Sequence, residues 1–379
     1  MDTQASRDKR VAFERCDGYD PARVRAAVDR AVGALGGWGA FVRPGANVLV
    51  KANLLSDHPP EDAVTTHPEV LRAVVRGLRA AGANPRVGDS PASAVALPRI
   101  WERTGVKAMC EEEGVPLVAF EGEGARTVER DGLRFTLSAA LAGADALVNV
   151  AKVKTHALTT FTCGVKNLYG LVPGYQKAAL HKRHPRVDDF ARLLRAIEAE
   201  ARPVLTLADG IVAMEGEGPA SGSPVALGLV AASPDPYALD KALAETLGIP
   251  VRGIPYLRHL VRDPAYAAVL PPGADAFRPA SFRVPGTVRA RLVPTPLVRL
   301  VSPLVWVRPS IDPGKCVRCG RCVASCPVKT LAMAQPVPRL ARPGDCIGCC
   351  CCHEMCPAKA IEMRQSPLLR LWGAFKDLR

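Results

Sequence analysis

Two cysteine runs constrain this chain more than any other feature. Cys316, Cys319, Cys322 and Cys326 are spaced C-x2-C-x2-C-x3-C, and Cys346, Cys349, Cys352 and Cys356 repeat that spacing. A proline, Pro327 or Pro357, follows each run. Thiolates are soft ligands, and this spacing is the one used by bacterial-type [4Fe–4S] modules. The first three sulfurs of a run wrap one cubane, while the fourth leaves along a short helix and reaches the neighbouring cluster. The expected ligand sets are therefore Cys316, Cys319, Cys322 and Cys356 for one cluster, and Cys346, Cys349, Cys352 and Cys326 for the other. Zinc is the competing chemistry. It asks for one set of four ligands, commonly paired C-x2-C knuckles, and two complete tetrads with C-x3-C-P ends fit it badly. The cofactor expectation is two [4Fe–4S] clusters.

The remaining thiols carry less. Cys350 and Cys351 fall inside the second run without fitting its spacing, and are read as packed thiols ahead of spare ligands. Cys16, Cys110 and Cys163 stand alone and are read as packed. No stretch of 18 or more apolar residues is free of charge, and Met1–Arg15 lacks an apolar signal core. The expected compartment is the cytoplasm, where thiols stay reduced.

Charge is unevenly placed. The chain carries a net +13, and residues 251–379 account for all of it, with 20 Lys and Arg against 7 Asp and Glu. A basic electron-transfer module would steer an acidic redox partner such as a ferredoxin or flavodoxin toward it. Aromatic residues make up only 5% of the chain, too few for a base-stacking platform, and no base-reading motif accompanies the charge. Nucleic acid is therefore disfavoured as a partner.

The first 250 residues alternate strand-like and helix-like segments. Asn47–Val50, Arg86–Gly88, Val115–Phe120, Ala146–Val150, Val204–Ala208 and Val225–Ala231 read as strands. Between them, Pro68–Ala81 places Val70, Leu71, Val74, Val75 and Leu78 on one helical face, and Val187–Ala201 does the same with Phe190, Leu193, Leu194 and Ile197. Asp235 is placed to cap a helix ending near Gly248. Such alternation predicts an α/β domain with a mostly parallel sheet flanked by helices, followed by a small α+β two-cluster module. The expected division is an α/β domain over 1–250, a proline-rich edge and linker over 251–310, the cluster module over 311–363 and an amphipathic tail over 364–379. The tail is too short to make membrane contact favourable.

In open parallel sheets, ligands bind beyond the carboxyl ends of the strands. Lys51 and Asn53 follow one predicted strand, and Asp89 and Ser90 another. Lys152, Lys154 and His156 follow a third, and Asp209 a fourth. The glycine-rich segment 159–174 adds Lys166 and Asn167, with Lys177 and His181 after it. Cationic and amide donors on such a backbone suit a small anionic or carbonyl-bearing ligand. His156 and Lys166 are the candidate catalytic residues, His156 as a proton donor titrating near neutral pH. Lys51, Asn53, Lys154, Asn167 and Asp209 are the candidate substrate-binding residues. No G-x-G-x-x-G follows a strand and no Walker A motif is present, so neither dinucleotide nor nucleoside triphosphate binding is expected.

Together these stretches resemble the family known as domain of unknown function 362, in the form fused to a C-terminal ferredoxin module. The resemblance lies in VLVKANL at 48–54, TTHPEVLRAVV at 65–75, VGDSPA at 87–92 and VNVAKVKTHALTTFTCGVKNLYGLVPG at 148–174. It continues in DGIVAMEGEGP at 209–219, SPDPYALD at 233–240 and CIGCCCCHEMCP at 346–357. Cys350 departs from it, standing where an aromatic residue is expected. The resemblance implies an iron–sulfur oxidoreductase-like protein and supplies no substrate. Two functions compete. One is a ferredoxin-fused reductase with its substrate in the α/β cleft. The other is a non-catalytic electron carrier or assembly partner whose α/β half docks another protein. A closed polar pocket favours the first and a flat apolar patch the second.

Overall fold

In the computed structural model, residues 7–91, 95–286 and 306–367 are described. The elements of the first half are β1 (Ala12–Arg15), α1 (Pro21–Gly33), β2 (Asn47–Lys51), α2 (Pro68–Ala80), β3 (Asn84–Asp89), α3 (Leu97–Arg103), α4 (Val106–Glu113) and β4 (Leu117–Ala119). A hairpin of β5 (Ala125–Arg130) and β6 (Leu133–Ser138) follows. Then come β7 (Ala146–His156), β8 (Thr160–Thr162), α5 (Gly164–Asn167), α6 (Gly174–Arg183), α7 (Val187–Ala201), β9 (Leu205–Glu215), β10 (Ser223–Ser233) and α8 (Pro236–Thr246).

Eight strands form the main sheet in the order β1-β10-β9-β7-β2-β3-β4, with β8 on β7. The pairs β7/β9, β2/β7, β2/β3 and β3/β4 are parallel, whereas β10 runs antiparallel between β9 and β1. The fold class expected from the alternation is thus the observed one. Parallel neighbours need crossovers, and these lay helices on both faces of the sheet. Hence β2 is buried on both sides: Leu49 joins one core, while Val48 and Val50 join the other.

Helix α2 shows how sequence builds one of those layers. Pro68 occupies its first turn, and the His67 ring accepts from the Glu69 amide at 3.2 Å, which satisfies a donor the helix start would leave orphaned. Val70, Leu71, Val74, Val75 and Leu78 are all buried, each contributing about 1.5–3 kcal/mol of transfer free energy. Gly77 is needed for a close approach, because a Cβ there would lie 2.2 Å from the Trp38 ring.

Residues 251–286 form short 3-10 turns rather than long helices, as their prolines dictate. They nevertheless sink Ile254, Tyr256, Leu257 and Leu260 into the core, where the Tyr256 hydroxyl donates to Asp240 at 3.1 Å. The segment was expected to wrap without forming core, so this is a difference. Large apolar side chains on its turns outweigh the missing helical period. The cluster module closes by pairing its first and last strands, β11 (Val307–Ile311) with β14 (Ile361–Gln365). Between them lie two cysteine loops, two one-turn helices (Arg321–Ala324 and Cys351–Glu354) and a small hairpin of β12 (Leu331–Ala332) and β13 (Arg339–Leu340). The amphipathic tail expected over 364–379 lies almost wholly outside the described residues. Among those, no helix is long and apolar enough to cross a membrane.

Candidate functional site

The thiols of the module ring two hollows. Cys316, Cys319 and Cys322 line the first together with Cys356. Cys346, Cys349 and Cys352 line the second together with Cys326, and Cys350 joins them there. The fourth cysteines are matched in a further way: the Thr330 amide donates to Cys326 Sγ at 3.4 Å, and the Ala360 amide to Cys356 Sγ at 3.2 Å. Amide bonds to sulfur are one of the levers by which a protein tunes a cluster. Four thiols spread around a hollow suit a four-iron cluster; they do not converge on a point as ligands of one zinc ion would. Among the described residues no three His, Cys, Asp or Glu side chains gather closely enough for a single metal ion.

The two loops are built alike. Left-handed backbone falls at Arg318 (φ 54°) and Gly320 (φ 74°) in the first, and at Gly348 (φ 62°) and Cys350 (φ 65°) in the second. Cys350 therefore occupies the position that Gly320 fills in the other loop. It is buried, with its thiol 3.4 Å from the Gly348 carbonyl.

A cavity of about 510 Å³ lies between the sheet and this module. Lys51, Asn53, Lys154, Lys166 and Asn167 all line it, with Ser90, Glu121, Lys177 and His181. The opposite wall comes from the module: Ala324–Pro327, Lys329, Cys351, Glu354 and Met355. Cys326, a cysteine of the second hollow, is part of that wall.

The lysines are held differently. Lys51 is fully buried, 2.6 Å from Asp89 and 2.6 Å from the Ala52 carbonyl. Asp89 also accepts from the Leu54 and Ser90 amides. Gly170 roofs this pair, and a Cβ there would lie 2.4 Å from both Lys51 Nζ and an Asp89 oxygen. Lys154 donates to Asn53 Oδ1 and the Val64 carbonyl, each at 2.6 Å. Burial, aided by Lys166 and Lys152, pushes its ammonium down to about 7. Lys177 reaches the Ser90 hydroxyl and carbonyl, and burial pushes it down to about 7 despite Asp89. Lys166 lines the cavity with neither a hydrogen bond nor an ion pair among the described residues. Burial lowers its pKa, against the pull of Glu354.

Two expected site residues lie elsewhere. His156 is buried and does not line the cavity. Its Nδ1 accepts from the Leu158 amide at 3.0 Å, which places the proton on Nε2, 3.1 Å from Glu354 Oε1. Burial, then Lys166, push it down to about 3. It stays neutral near pH 7 and orients Glu354, so it is no proton donor to the cavity. Burial raises the Glu354 carboxyl, but His156, Lys166 and His181 outweigh that and hold it below the usual range. Asp209 is the second correction. It accepts from Lys152 at 2.9 Å, from Tyr19 at 2.9 Å and from the His67 amide at 3.0 Å, away from the cavity. Both differences have one cause. β7 runs on to His156 and β9 to Glu215, so these residues sit within strands rather than after them. A register shift between Lys152 and Lys154 sends those two lysines to different partners.

Sequence reasoning did not commit to Lys177, His181, Ser90 or Glu121, although the strand-end rule and the glycine-rich segment pointed near them. Glu354 was missed entirely. It sits between Cys352 and Cys356, and nothing local signals that it turns toward the sheet. Two contacts brace that wall. Arg321 bonds Asp57 at 3.0 Å, with Arg99 on the same carboxylate at 2.8 Å, and His353 Nε2 meets the Glu217 carbonyl at 3.0 Å. Burial acts to raise the Asp57 carboxyl, and the two guanidiniums outweigh it.

A mostly parallel α/β domain carrying a cysteine-ringed C-terminal module is an iron–sulfur electron-transfer protein. Residues 309–331 match the 4Fe-4S binding domain, which covers the first cysteine run. Residues 48–245 match the domain of unknown function DUF362, more than half of the chain, and the chain belongs to that family. A thylakoid-associated protein of Synechocystis sp. is 37% identical over 248 residues, covering 65% of this chain and 77% of that protein. Among solved structures, a lactate racemase apoprotein from Thermoanaerobacterium thermosaccharolyticum is similar at a TM-score of 0.43 and 16% identity, over 64% of this chain and 58% of that one. A Thermotoga maritima protein is similar at 0.34 and 14%, over 55% and 54%. The chain thus spans less than two thirds of either solved chain.

Proposed function

We propose that the protein is an iron–sulfur oxidoreductase that reduces a small anionic or carbonyl-bearing substrate in the cavity between its two parts. The observation that carries this reading is the shared wall: strand-end lysines face a module surface that includes Cys326. Cys316, Cys319, Cys322 and Cys356 would hold one [4Fe–4S] cluster, and Cys346, Cys349, Cys352 and Cys326 a second. Such clusters supply electrons singly.

The residues of this chain provide the rest. Among the described residues the Lys166 ammonium makes no hydrogen bond or ion pair, which leaves it available to a carboxylate or a polarised carbonyl oxygen. Lys154 and Lys177, pushed to about 7, are poised to hold or yield a proton near neutral pH. Asn167 is itself fixed: its amide donates to Asn149 Oδ1 at 2.8 Å, which orients the loop carrying Lys166. Glu354 faces Lys166 and His181, and with Asp89 and Glu121 it offsets the lysines that line the cavity. A reaction of this kind takes two electrons and two protons per carbonyl reduced to an alcohol. A partly open cavity into which Lys51, Lys154, Lys166 and Lys177 converge favours this reading over a purely docking α/β half. The cytoplasm suits it, since the cysteines must stay reduced before cluster insertion.

The test is binding. Anaerobically cluster-loaded protein is titrated calorimetrically with a panel of small carboxylates and keto acids. Lys166→Ala with Asn167→Ala should weaken binding at least about tenfold while leaving cluster absorbance intact. Unchanged affinity in the double variant would reduce the loop to a structural role.

A further inference from the structure

We propose that the outer face of the first cysteine loop is the docking surface for an acidic one-electron carrier protein of the ferredoxin class. This rests on reading the module as an electron carrier, and adds where the partner sits and which side chains hold it.

Among the described residues, four large apolar side chains stand exposed: Val261, Leu270, Val317 and Met333. Two of them flank this loop. Val317, between Cys316 and Cys319, is 67% exposed, and Met333 is 49% exposed. Met333 lies against Gly320, since a Cβ on that glycine would be 3.8 Å from its sulfur. Cys319 is itself exposed. A small apolar centre beside a solvent-facing ligand is the anatomy of a transient interface.

The rim is basic. Arg318 and Arg339 are exposed, and neither has an ion-pair partner among the described residues. Arg339 stands opposite Ala332 in the β12–β13 hairpin, next to Met333. Lys315 is offset by Asp312 at 3.9 Å, and Arg321 is turned inward to Asp57. The uncompensated charges beside the apolar centre are thus positive, which fits an acidic partner.

Comparison of the loops adds an independent reason. Position 318 has left-handed backbone, φ 54°, which favours glycine. The second loop has Gly348 at the matching place. The first loop keeps an arginine there despite the strain, exposed and unpaired. The two ends of the first run divide the work: Ala324–Pro327 border the cavity beside Cys351 of the second run, and residues 317–319 face solvent.

The test uses the full, cluster-loaded chain under anaerobic conditions, with an acidic [2Fe–2S] ferredoxin as probe and equilibrium binding as readout. The wild type should bind at about 50 mM salt and weaken steeply by about 300 mM, as screening shortens the reach of exposed charge. Arg318→Gly with Arg339→Ala should weaken binding about tenfold, with iron content unchanged and thermal stability equal or higher, because glycine relieves the backbone. Val317→Ser with Met333→Ser should weaken it at both salt levels. Affinity within twofold of wild type in the arginine variant, salt-independent binding, or no wild-type binding at low salt would each overturn the proposal. Carboxylate binding in the cavity is measured on the same variants and should not change. Failure of docking and failure of the cavity reading are therefore separate results.

Discussion

The two parts of this molecule solve the problem of charge and order in opposite ways. The α/β domain has two extensive apolar cores and buries Lys51, Lys152, Lys154 and Lys177 among them. Each of these ammonium groups has a carboxylate, carbonyl or amide oxygen at hand. The module has strands of two to five residues and one-turn helices, and most of its charged side chains lie outside, with Arg321 and Glu354 turned inward. So small a set of elements has little apolar surface to bury, and its order depends on its ligands. On the proposals made above, the buried lysines that line the cavity serve the chemistry in one part and exposed cations serve partner recognition in the other.

The sharpest way to break that comparison is to remove a ligand. The loaded protein should contain about eight irons and eight sulfides. Cys326→Ser should lose the cluster of the second hollow, with Cys346, Cys349 and Cys352, and Cys356→Ser the cluster of the first. Iron analysis and electron paramagnetic resonance read the result, and far-ultraviolet circular dichroism should show the α/β domain intact. Damage confined to the cluster of each variant's own run would end the crossed assignment.

A second experiment addresses the α/β side. Asp209→Asn leaves the buried Lys152 ammonium without its counter-ion, so stability should fall by about 3–5 kcal/mol. Carboxylate affinity in the cavity should stay as it was, because Asp209 lies outside it. Denaturant titration and calorimetry on the same sample separate the two. A large loss of affinity with unchanged stability would return Asp209 to the site.

The smallest expected effect concerns pH. Lys154 and Lys177, with pKa values of about 7, are charged below that value and neutral above it. An anion attracted by them should bind most tightly on the acid side, and weaken about tenfold from about pH 6 to about pH 8. Lys166→Ala should lower affinity at both ends and move the pH dependence toward higher pH, because Lys166 helps hold the Lys154 and Lys177 pKa values down. Affinity that rises with pH would mean that these lysines do not face the anion.

Much of this architecture was legible in the chain. The alternating segments, the buried face of α2 and the cysteine runs are local patterns, and local patterns survive into the fold because helix period, strand period and ligand spacing are set by the backbone itself. Of the seven cleft residues named from strand ends and from the glycine-rich segment, five line the cavity: Lys51, Asn53, Lys154, Lys166 and Asn167. His156 and Asp209 do not, because strand length and register are decided by neighbouring strands, not by the segment alone.

By itself, then, the sequence determined the class of sheet, the positions of the two cysteine runs and the basic balance of residues 251–379. Tertiary structure alone decided that Glu354 meets His156 across almost 200 residues of chain, that Lys152 pairs with Asp209 while Lys154 faces the cavity, and that both cysteine runs share the cavity wall while residues 317–319 stand exposed. Such contacts join segments far apart in the chain. Their partners are chosen by the packing of whole elements, and the residues flanking either partner carry no trace of that choice.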